Sequence, residues 1–381
     1  MTMRHPVVDR AARKAVFPAW AGPAERLRFL LRYAVMAPSR HNAQPWLFEI
    51  EGSELRVYGD GRRALKVADP QGRELAMACG AALYNVQVAA RHFGYATSTE
   101  ITATARNDGL LARFTLEDRR APTPDEELLF DTIPKRRTHP FALADAREVP
   151  LHVVAGLVRE VAAEGAVLRV VDRAARGRVA SLVAEGDKIQ WSSARFRAEL
   201  AAWSRSTSRA ASDGVCSSAP SLSDSASLLH RMLVRLHVRG DDHRREQLAA
   251  LRSRALFALC TREDSPAEWF AAGQAMQRAL LRAAAAGLCA TYFGPAVEVA
   301  PVRAKLRAAL AERGFPQILF RLGYGVPARA SPRRPVELVL RSMTAAPSRD
   351  LVRPGEFDLE VETEVEIDQP AFLSGRAAAR M

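Results

Sequence analysis

The chain is poor in the features by which many protein classes are first sorted. Its 381 residues include only four cysteines, Cys79, Cys216, Cys260 and Cys289, widely spaced and with no CxxC pair. A disulfide scaffold and a cysteine-built metal site are therefore not expected. Three of the four lie in apolar runs, as small buried hydrophobes do in a reducing compartment. No apolar run approaches the length of a bilayer span, and the opening MTMRHPVVDRAARKAVF has no apolar h-region. A soluble cytoplasmic protein without a membrane partner is the expectation. HExxH and a Ser-His-Asp pattern are both missing, and His230, His237 and His243 lack metal-ligand spacing. Gly323 and Gly325 lack the third glycine of a dinucleotide fingerprint and read as a turn. No metal is expected, and no protein nucleophile or other catalytic residue is assigned.

What is present is ordinary globular composition, 48% hydrophobic and 26% charged, with a net charge of +12 and a pI near 10.2. Such a charge raises the question of an anionic partner. The arginines are scattered along helical faces, with no block of five or six basic residues, so nucleic acid is not an expected partner.

One stretch organises the rest: Ala37-Pro38-Ser39-Arg40-His41-Asn42-Ala43-Gln44-Pro45-Trp46. It lies between an amphipathic helix over Glu25–Met36 and a strand over Leu47–Ile50. Pro38 and Pro45 forbid a continuous helix or strand across it. Its polar side chains sit on a loop held at both ends by regular elements, a connector or a binding loop.

Strands follow at Leu55–Tyr58, Ser98–Ala105 and Leu110–Leu116, with a further turn toward Ala64–Val67. Asp69-Pro70 reads as N-cap and N1 of a helix that ends at Gly94. Helices are expected over Leu151–Ala163, Arg176–Ser204 and Pro301–Arg313, and strands over Ala166–Val171, Ala255–Cys260 and Gln317–Leu322. Ser265-Pro266-Ala267-Glu268 is a capping box that opens a long helix ending at Gly287. Ser204–Ser227 is rich in Ser, Ala and Gly and reads as an insertion or lid. The division is a leader over 1–22, a first half over 23–117, a connector over 118–135, and a second half over 136–340. That second half carries the lid at about 204–245, and an extension covers 341–381. In the extension, FDLEVETEVEID alternates apolar and acidic residues as an edge strand does.

Two halves are visible as a faint duplication. Cys79-Gly80-Ala81-Ala82-Leu83 resembles Ala272-Gly273-Gln274-Ala275-Met276, and both glycine pairs share one offset (273 − 80 = 193; 287 − 94 = 193). At that offset the strand Ala255–Cys260 falls on Arg62–Val67. A glycine inside a helix costs about 1 kcal/mol, so a matched pair points to a close helix–helix approach. Two basic clusters lie in loops, Lys135-Arg136-Arg137-Thr138-His139-Pro140-Phe141 and Ser331-Pro332-Arg333-Arg334-Pro335. An arginine fork holds a phosphate through charge-assisted bonds of about 1.5–3 kcal/mol each.

The run YAVMAPSRHNAQPWLFEI resembles the flavin-binding loop of the nitroreductase superfamily. With DPQGRELAMACGAALYN, RRTHPF, AEWFAAGQAMQRALLRAAAAGL and GFPQILFRLGYG…SPRRP it resembles the Acg-type branch, over roughly Glu25–Leu340. The resemblance implies an α+β nitroreductase-like fold, two fused nitroreductase-like halves forming an intramolecular pseudo-dimer. It implies FMN as cofactor, NAD(P)H as candidate electron donor, a small-molecule substrate, and a monomeric pseudo-dimer or a homodimer. By the same resemblance Arg136, Arg137, Thr138, Arg333 and Arg334 hold the FMN phosphate. Pro38, Ser39, Arg40, Asn42 and Gln44 edge the ring, and Phe293 and Gly294 approach flavin N5. Pro140 stands where the family often has a further Lys or Arg. The second half has no copy of the loop and the first half has no copy of the arginine clusters, so one FMN site per chain is expected. The function implied is an FMN-dependent oxidoreductase. A lid-covered flavin-sequestering protein and a specialised biosynthetic flavin dehydrogenase are the alternatives.

Overall fold

The computed structural model describes residues 16–103, 109–138, 147–205, 212–216, 242–311, 313–325 and 330–341. His139-Pro140-Phe141, most of the expected lid and the FDLEVETEVEID extension lie outside the described residues.

The first half runs α1 (Pro23–Ala34), β1 (Trp46–Glu51), β2 (Glu54–Gly59), α2 (Arg73–His92), β3 (Tyr95–Ile101) and β4 (Leu110–Arg119). The expected connector carries a helix, α3 (Pro124–Thr132), opened by a complete Thr123–Glu126 capping box. The second half begins with α4 (Leu151–Ala162), β5 (Val167–Val170), α5 (Arg173–Ser192) and α6 (Ala194–Trp203). A short parallel pair follows, β6 (Ser204–Arg205) and β7 (Val215–Cys216), then α7 (Asp242–Arg252), β8 (Leu256–Thr261) and α8 (Pro266–Ala285). β9 (Cys289–Tyr292), the one-turn α9 (Pro295–Glu298), α10 (Ala300–Ala309) and β10 (Phe315–Gly323) complete it.

The duplication is real at the level of topology. The two four-stranded sheets are antiparallel throughout and ordered β1-β2-β4-β3 and β5-β8-β10-β9. In each, the chain visits an edge strand, its neighbour, a long helix, the far edge, and then the strand between. The halves differ in what joins these parts. The two-residue β1–β2 turn is replaced in the second half by everything from α5 to α7.

The two long helices cross at the matched glycines. A Cβ on Gly80 would overlap the Phe270 carbonyl, and a Cβ on Gly273 would overlap the Met77 backbone. Phe270 and Met77 are themselves 193 residues apart (270 − 77), so the crossing is two-fold symmetric in sequence. Only glycine lets two backbones approach this closely. Apolar residues of both halves merge there into one core, from Leu27 and Phe48 through Leu83 to Phe270 and Phe320. Within it Gln277 Nε2 donates to Asn85 Oδ1 at 2.7 Å, and Asn85 Nδ2 to the Tyr33 carbonyl at 2.9 Å.

Some local expectations move. Arg62–Val67 is not a strand: Gly61–Arg63 is a 3-10 turn whose N-cap is Asp60. Asp69-Pro70 does not start α2. The helix opens at Arg73 after Gly72 at φ 69, and Asp69 caps from further back, accepting from Leu75 N at 2.9 Å. The expected helix over Arg176–Ser204 is two, broken at Ser193, which caps the second. α10 ends before Gly314, and the left-handed residue beyond it is Ala311. Gly94 and Gly287 terminate their helices at φ 84 and 73, as expected.

The ends of the second half are woven into the boundary. Thr138 pairs with Ala290 on β9, and Leu340 pairs with Phe48 on β1, both in parallel. Phe48 N donates to the Val339 carbonyl at 2.8 Å and Arg341 N to the Phe48 carbonyl at 2.7 Å. This stitching carries both arginine clusters toward the first half's loop. No helix among the described residues is long and apolar enough to cross a membrane.

Candidate functional site

The loop between α1 and β1 has strained backbone. His41, Asn42 and Gln44 all adopt positive φ (49, 52 and 52), a conformation that costs an L-residue about 1–2 kcal/mol. Such strain persists only where surroundings over-determine it, and here they are identifiable. Gln44 N donates to Ser39 Oγ at 2.9 Å. The fully buried Gln44 side chain donates to the Ser212 carbonyl at 2.7 Å and accepts from Arg334 N at 2.8 Å. Asn42 Nδ2 donates to the Pro332 carbonyl at 3.1 Å, and Asn42 Oδ1 accepts from Arg333 Nη1 at 2.8 Å. Gln44→Ala strips a buried amide, Arg334 N, and a half-buried carbonyl, Ser212 O, of their partners, and is expected to destabilise the chain by about 2–4 kcal/mol in urea denaturation.

Arg136, Thr138 and Arg333 come together with Asn42. Arg136 is buried and donates to Thr138 Oγ1 at 3.1 Å. Arg137 donates to the carbonyls of Pro134 and Arg136, at 2.6 and 2.8 Å. The Nε atoms of Arg136 and Arg333 are buried without an acceptor. Burial pushes the Arg333 guanidinium down to about 9, and the other charges acting on it, Arg136 and Arg137, push the same way. Burial likewise depresses Arg136, with Arg137 adding to it and Tyr292 opposing. Tyr292 is a neighbour that sequence reasoning missed: burial raises its phenol to about 12, while Arg136 and a hydrogen bond from Thr138 hold it down. Arg136 and Arg333, like charges in a desolvated place on which Arg137 also acts, are arranged for an anion.

Arg334 is used differently. Its guanidinium donates to the carbonyls of Gln44 at 3.0 Å and Leu338 at 2.6 Å, and it lies 3.7 Å from the buried Asp60 carboxylate. Burial and Arg63 press it down to about 10, with Asp60 and Asp213 opposing. It ties the second cluster to the loop.

Arg40, at the other end of the loop, reaches the second half. It forms an ion pair with Glu298, and a Cβ on Gly294 would strike both side chains. Burial opposes the Arg40 charge, but Glu298, Glu74, Asp69 and Glu199 outweigh it and raise its pKa. His41 is held well below the usual imidazole range by burial and then by Arg40, so it is neutral. Phe293 is buried beside this group, its N–H donating to the Leu319 carbonyl at 2.8 Å. Pro38 and Ser39 are half-buried at the loop's entry.

The expected site residues thus form two groups joined by one loop: Asn42 with the arginine cradle, and Arg40 with Phe293 and Gly294. Ser39, Gln44 and Arg334 brace the loop between them. Glu298 and Gln190, joined at 2.6 Å, belong to the second group, and neither was singled out in the sequence. The start of the insertion docks on the same loop: Gly214 N donates to the Asn42 carbonyl at 3.3 Å, and Asp213 pairs with Arg63. No group of metal-ligating side chains occurs among the described residues.

No family profile matches the chain. It is 30% identical over 313 residues to Rv3131 of Mycobacterium tuberculosis, named as a candidate NAD(P)H nitroreductase, covering 82% of this chain and 88% of that one. It is 27% identical over 318 residues to the acg protein of the same organism, similarly named, covering 82% and 94%. Among solved structures, the FMN-dependent nitroreductase NfnB from Mycobacterium smegmatis in complex with NADPH overlaps 57% of this chain and 98% of its own. Its identity is 16% and its TM-score 0.37, too loose an overlap to carry an argument. With two four-stranded sheets in matching order and a relative at 30% identity across most of both chains, this protein is a fused double-half member of the nitroreductase family, an oxidoreductase of the Acg type.

Proposed function

We propose that the chain binds FMN and reduces a small-molecule substrate with electrons from NAD(P)H, using one flavin site per chain. The arginine cradle carries this reading. Arg136 and Arg333 have buried Nε donors without acceptors, and the charges acting on Arg333 are themselves arginines. A phosphate supplies what such donors lack, and the donor set therefore fits the phosphate end of FMN. Arg136, Arg137, Thr138 and Arg333 would hold that phosphate, while Asn42 fixes Arg333. Arg40, Phe293 and Gly294 would lie along the ring.

When bound, the flavin supplies the hydride chemistry. The chain's own residues orient it, exclude water and set the local charge. The arginines neutralise the phosphate, and the strained loop presents Arg40 from the first half to a wall built by the second. The neutral His41 keeps a further charge out of the loop. The cradle comes from one half and the loop from the other, which supports a single site made across the boundary.

The purified protein is expected to show oxidised-flavin absorption that bleaches anaerobically on adding NADPH or NADH. Absence of flavin bands after reconstitution with FMN would remove the cofactor reading. A second reading, flavin sequestration, is favoured by one observation: Ser212 and Gly214 of the insertion bond directly to the loop, which closes it on that side. Bound FMN that neither nucleotide bleaches would select it.

A further inference from the structure

The start of the insertion runs beside the loop in register. Gly214 N donates to the Asn42 carbonyl at 3.3 Å, and the Ser212 carbonyl accepts from Gln44 Nε2 at 2.7 Å. Each step forward along the loop is a step back along the insertion, as in an antiparallel pair. Between those two rungs, Ala43 and Asp213 are bridged by a side chain from elsewhere, Arg63. Its Nε donates to the Ala43 carbonyl at 2.5 Å, and its Nη2 pairs with the Asp213 carboxylate. The bridge crosses the boundary, since Arg63 belongs to the first half and Asp213 to the second.

Arg63 is fixed from several sides. It ends the 3-10 turn Gly61–Arg63, whose N-cap Asp60 accepts from Arg62 N at 3.3 Å and donates its own N–H to the Pro45 carbonyl at 2.9 Å. The Arg63 guanidinium lies over the ring of Trp203, the last residue of α6, at 5.3 Å. Glu199 of the same helix accepts from Val67 N and Ala68 N at 3.1 and 2.9 Å. The neighbouring charges have their own partners: Asp60 faces Arg62 and Arg334, and Glu199 is held by the two amides. The Arg63 and Asp213 side chains are only 18% and 19% exposed, so water screens this pair less than a surface pair. Asn42 and Gln44, on either side of Ala43, are both left-handed at φ 52. A carbonyl between two such residues has no regular ladder to enter, and the guanidinium supplies its donor. Asn42 is also the residue that holds Arg333, accepting from its Nη1 at 2.8 Å.

We propose that Arg63 is a positioning residue for the arginine cradle. By joining Asp213 to the Ala43 carbonyl it keeps the insertion against the loop and so sets Asn42, which in turn sets Arg333. Arg63 acts through Asn42 and does not itself hold the phosphate. The insertion then supports the site from behind the loop, in addition to bordering it.

The ligand arm of this proposal rests on the FMN reading, and the backbone arm does not. The loop amides are bonded within the loop: Asn42 N to the Ser39 carbonyl at 3.0 Å, Ala43 N to the Arg40 carbonyl at 2.9 Å, and Gln44 N to Ser39 Oγ at 2.9 Å. Their hydrogen exchange therefore reads the order of the loop directly. Exchange is followed by mass spectrometry in the flavin-free wild type, Arg63→Met and Asp213→Asn, with peptides of α2 as the internal reference. Arg63→Met is expected to speed exchange over Asn42–Gln44 by at least about fivefold, and Asp213→Asn by at least about twofold, with α2 unchanged. FMN affinity is read by fluorescence quenching in these chains, in Asn42→Ala, and in the Arg63→Met/Asn42→Ala double variant. Arg63→Met is expected to weaken FMN binding by at least about fivefold, the low end of coupling between sites. In the Asn42→Ala background the same change is expected to stay within about twofold, because its route to Arg333 is gone. Loop exchange that stays at the wild-type rate in both variants overturns the proposal. So does an Arg63→Met effect on FMN that persists in full without Asn42. If Arg63→Met loosens α2 as much as the loop, Asp213→Asn, which keeps the shape of the side chain, decides, and the same general loosening there overturns the proposal. If no chain binds FMN, the cofactor reading fails and the exchange of the loop alone decides Arg63.

Discussion

Gly273→Ala and Gly80→Ala are each expected to cost at least about 4 kcal/mol, a large part of the stability of an ordinary domain. A Cβ at either position meets backbone, the Met77 peptide or the Phe270 carbonyl, and a backbone cannot turn aside as the end of a flexible side chain can. The two helices must separate, and with them the core that both halves share, including Leu83, Phe270 and the Asn85–Gln277 bond. Overpacking a well-filled core costs about 1–3 kcal/mol where side chains adjust, and here there is no side chain to adjust. The control is Gly156→Ala inside α4, where an added Cβ meets nothing within 4 Å. That change is expected to stabilise by about 0.5–1 kcal/mol through helix propensity alone. Urea midpoints measured on the three variants check both signs. A wild-type midpoint for Gly273→Ala would mean that the helices do not cross at the paired glycines.

Arg136→Met is expected to act in opposite directions on stability and binding. In the flavin-free chain Arg136 is a buried charge whose Nε has no acceptor, with Arg137 acting against it. Exchanging such a charge for an apolar group of similar length often stabilises a protein, by about 1–4 kcal/mol. The flavin-free Tm should therefore rise. FMN affinity should fall by at least about tenfold, since even one charge-assisted phosphate bond is worth about 1.5–3 kcal/mol. With saturating FMN the order of the two melting temperatures should reverse, because binding adds to the stability of the chain that binds. A drop in Tm without flavin, or unchanged FMN affinity, would place Arg136 among ordinary structural arginines. Trading stability for a poised site in this way is common where function needs uncompensated charge.

Much of this architecture was legible before the structure, for reasons that differ by element. The hairpin Trp46–Gly59 and the helix stops at Gly94 and Gly287 follow local rules, alternation and left-handed glycine, and they stand as expected. The crossing at Gly80 and Gly273 was legible because a repeated rule-breaking residue is informative in a way that a repeated leucine is not. Asp69-Pro70 misled because an N-cap signal only three residues early still works, with Asp69 reaching Leu75 N from outside the helix. The helix Pro124–Thr132 was hidden by its acidic, Pro-led start, which reads equally well as linker. In the site, resemblance brought the loop and arginine clusters into one frame. It did not distinguish Arg333 from Arg334. Those neighbours differ only in which way they face, one toward Arg136 and the other toward Asp60. Glu298 was invisible because its partners, Arg40 and Gln190, lie 258 and 108 residues away along the chain, with no local trace.

The symmetric crossing also has a consequence in time. Gly80 leaves the ribosome long before the helix it needs: Gly273 follows 193 residues later, and at about 5–20 residues per second that is a wait of roughly 10–40 s. Throughout that interval the 20-residue segment of the first long helix lacks the partner that its flank at Gly80 packs against. A chain of this design completes its shared core only when the second long helix arrives.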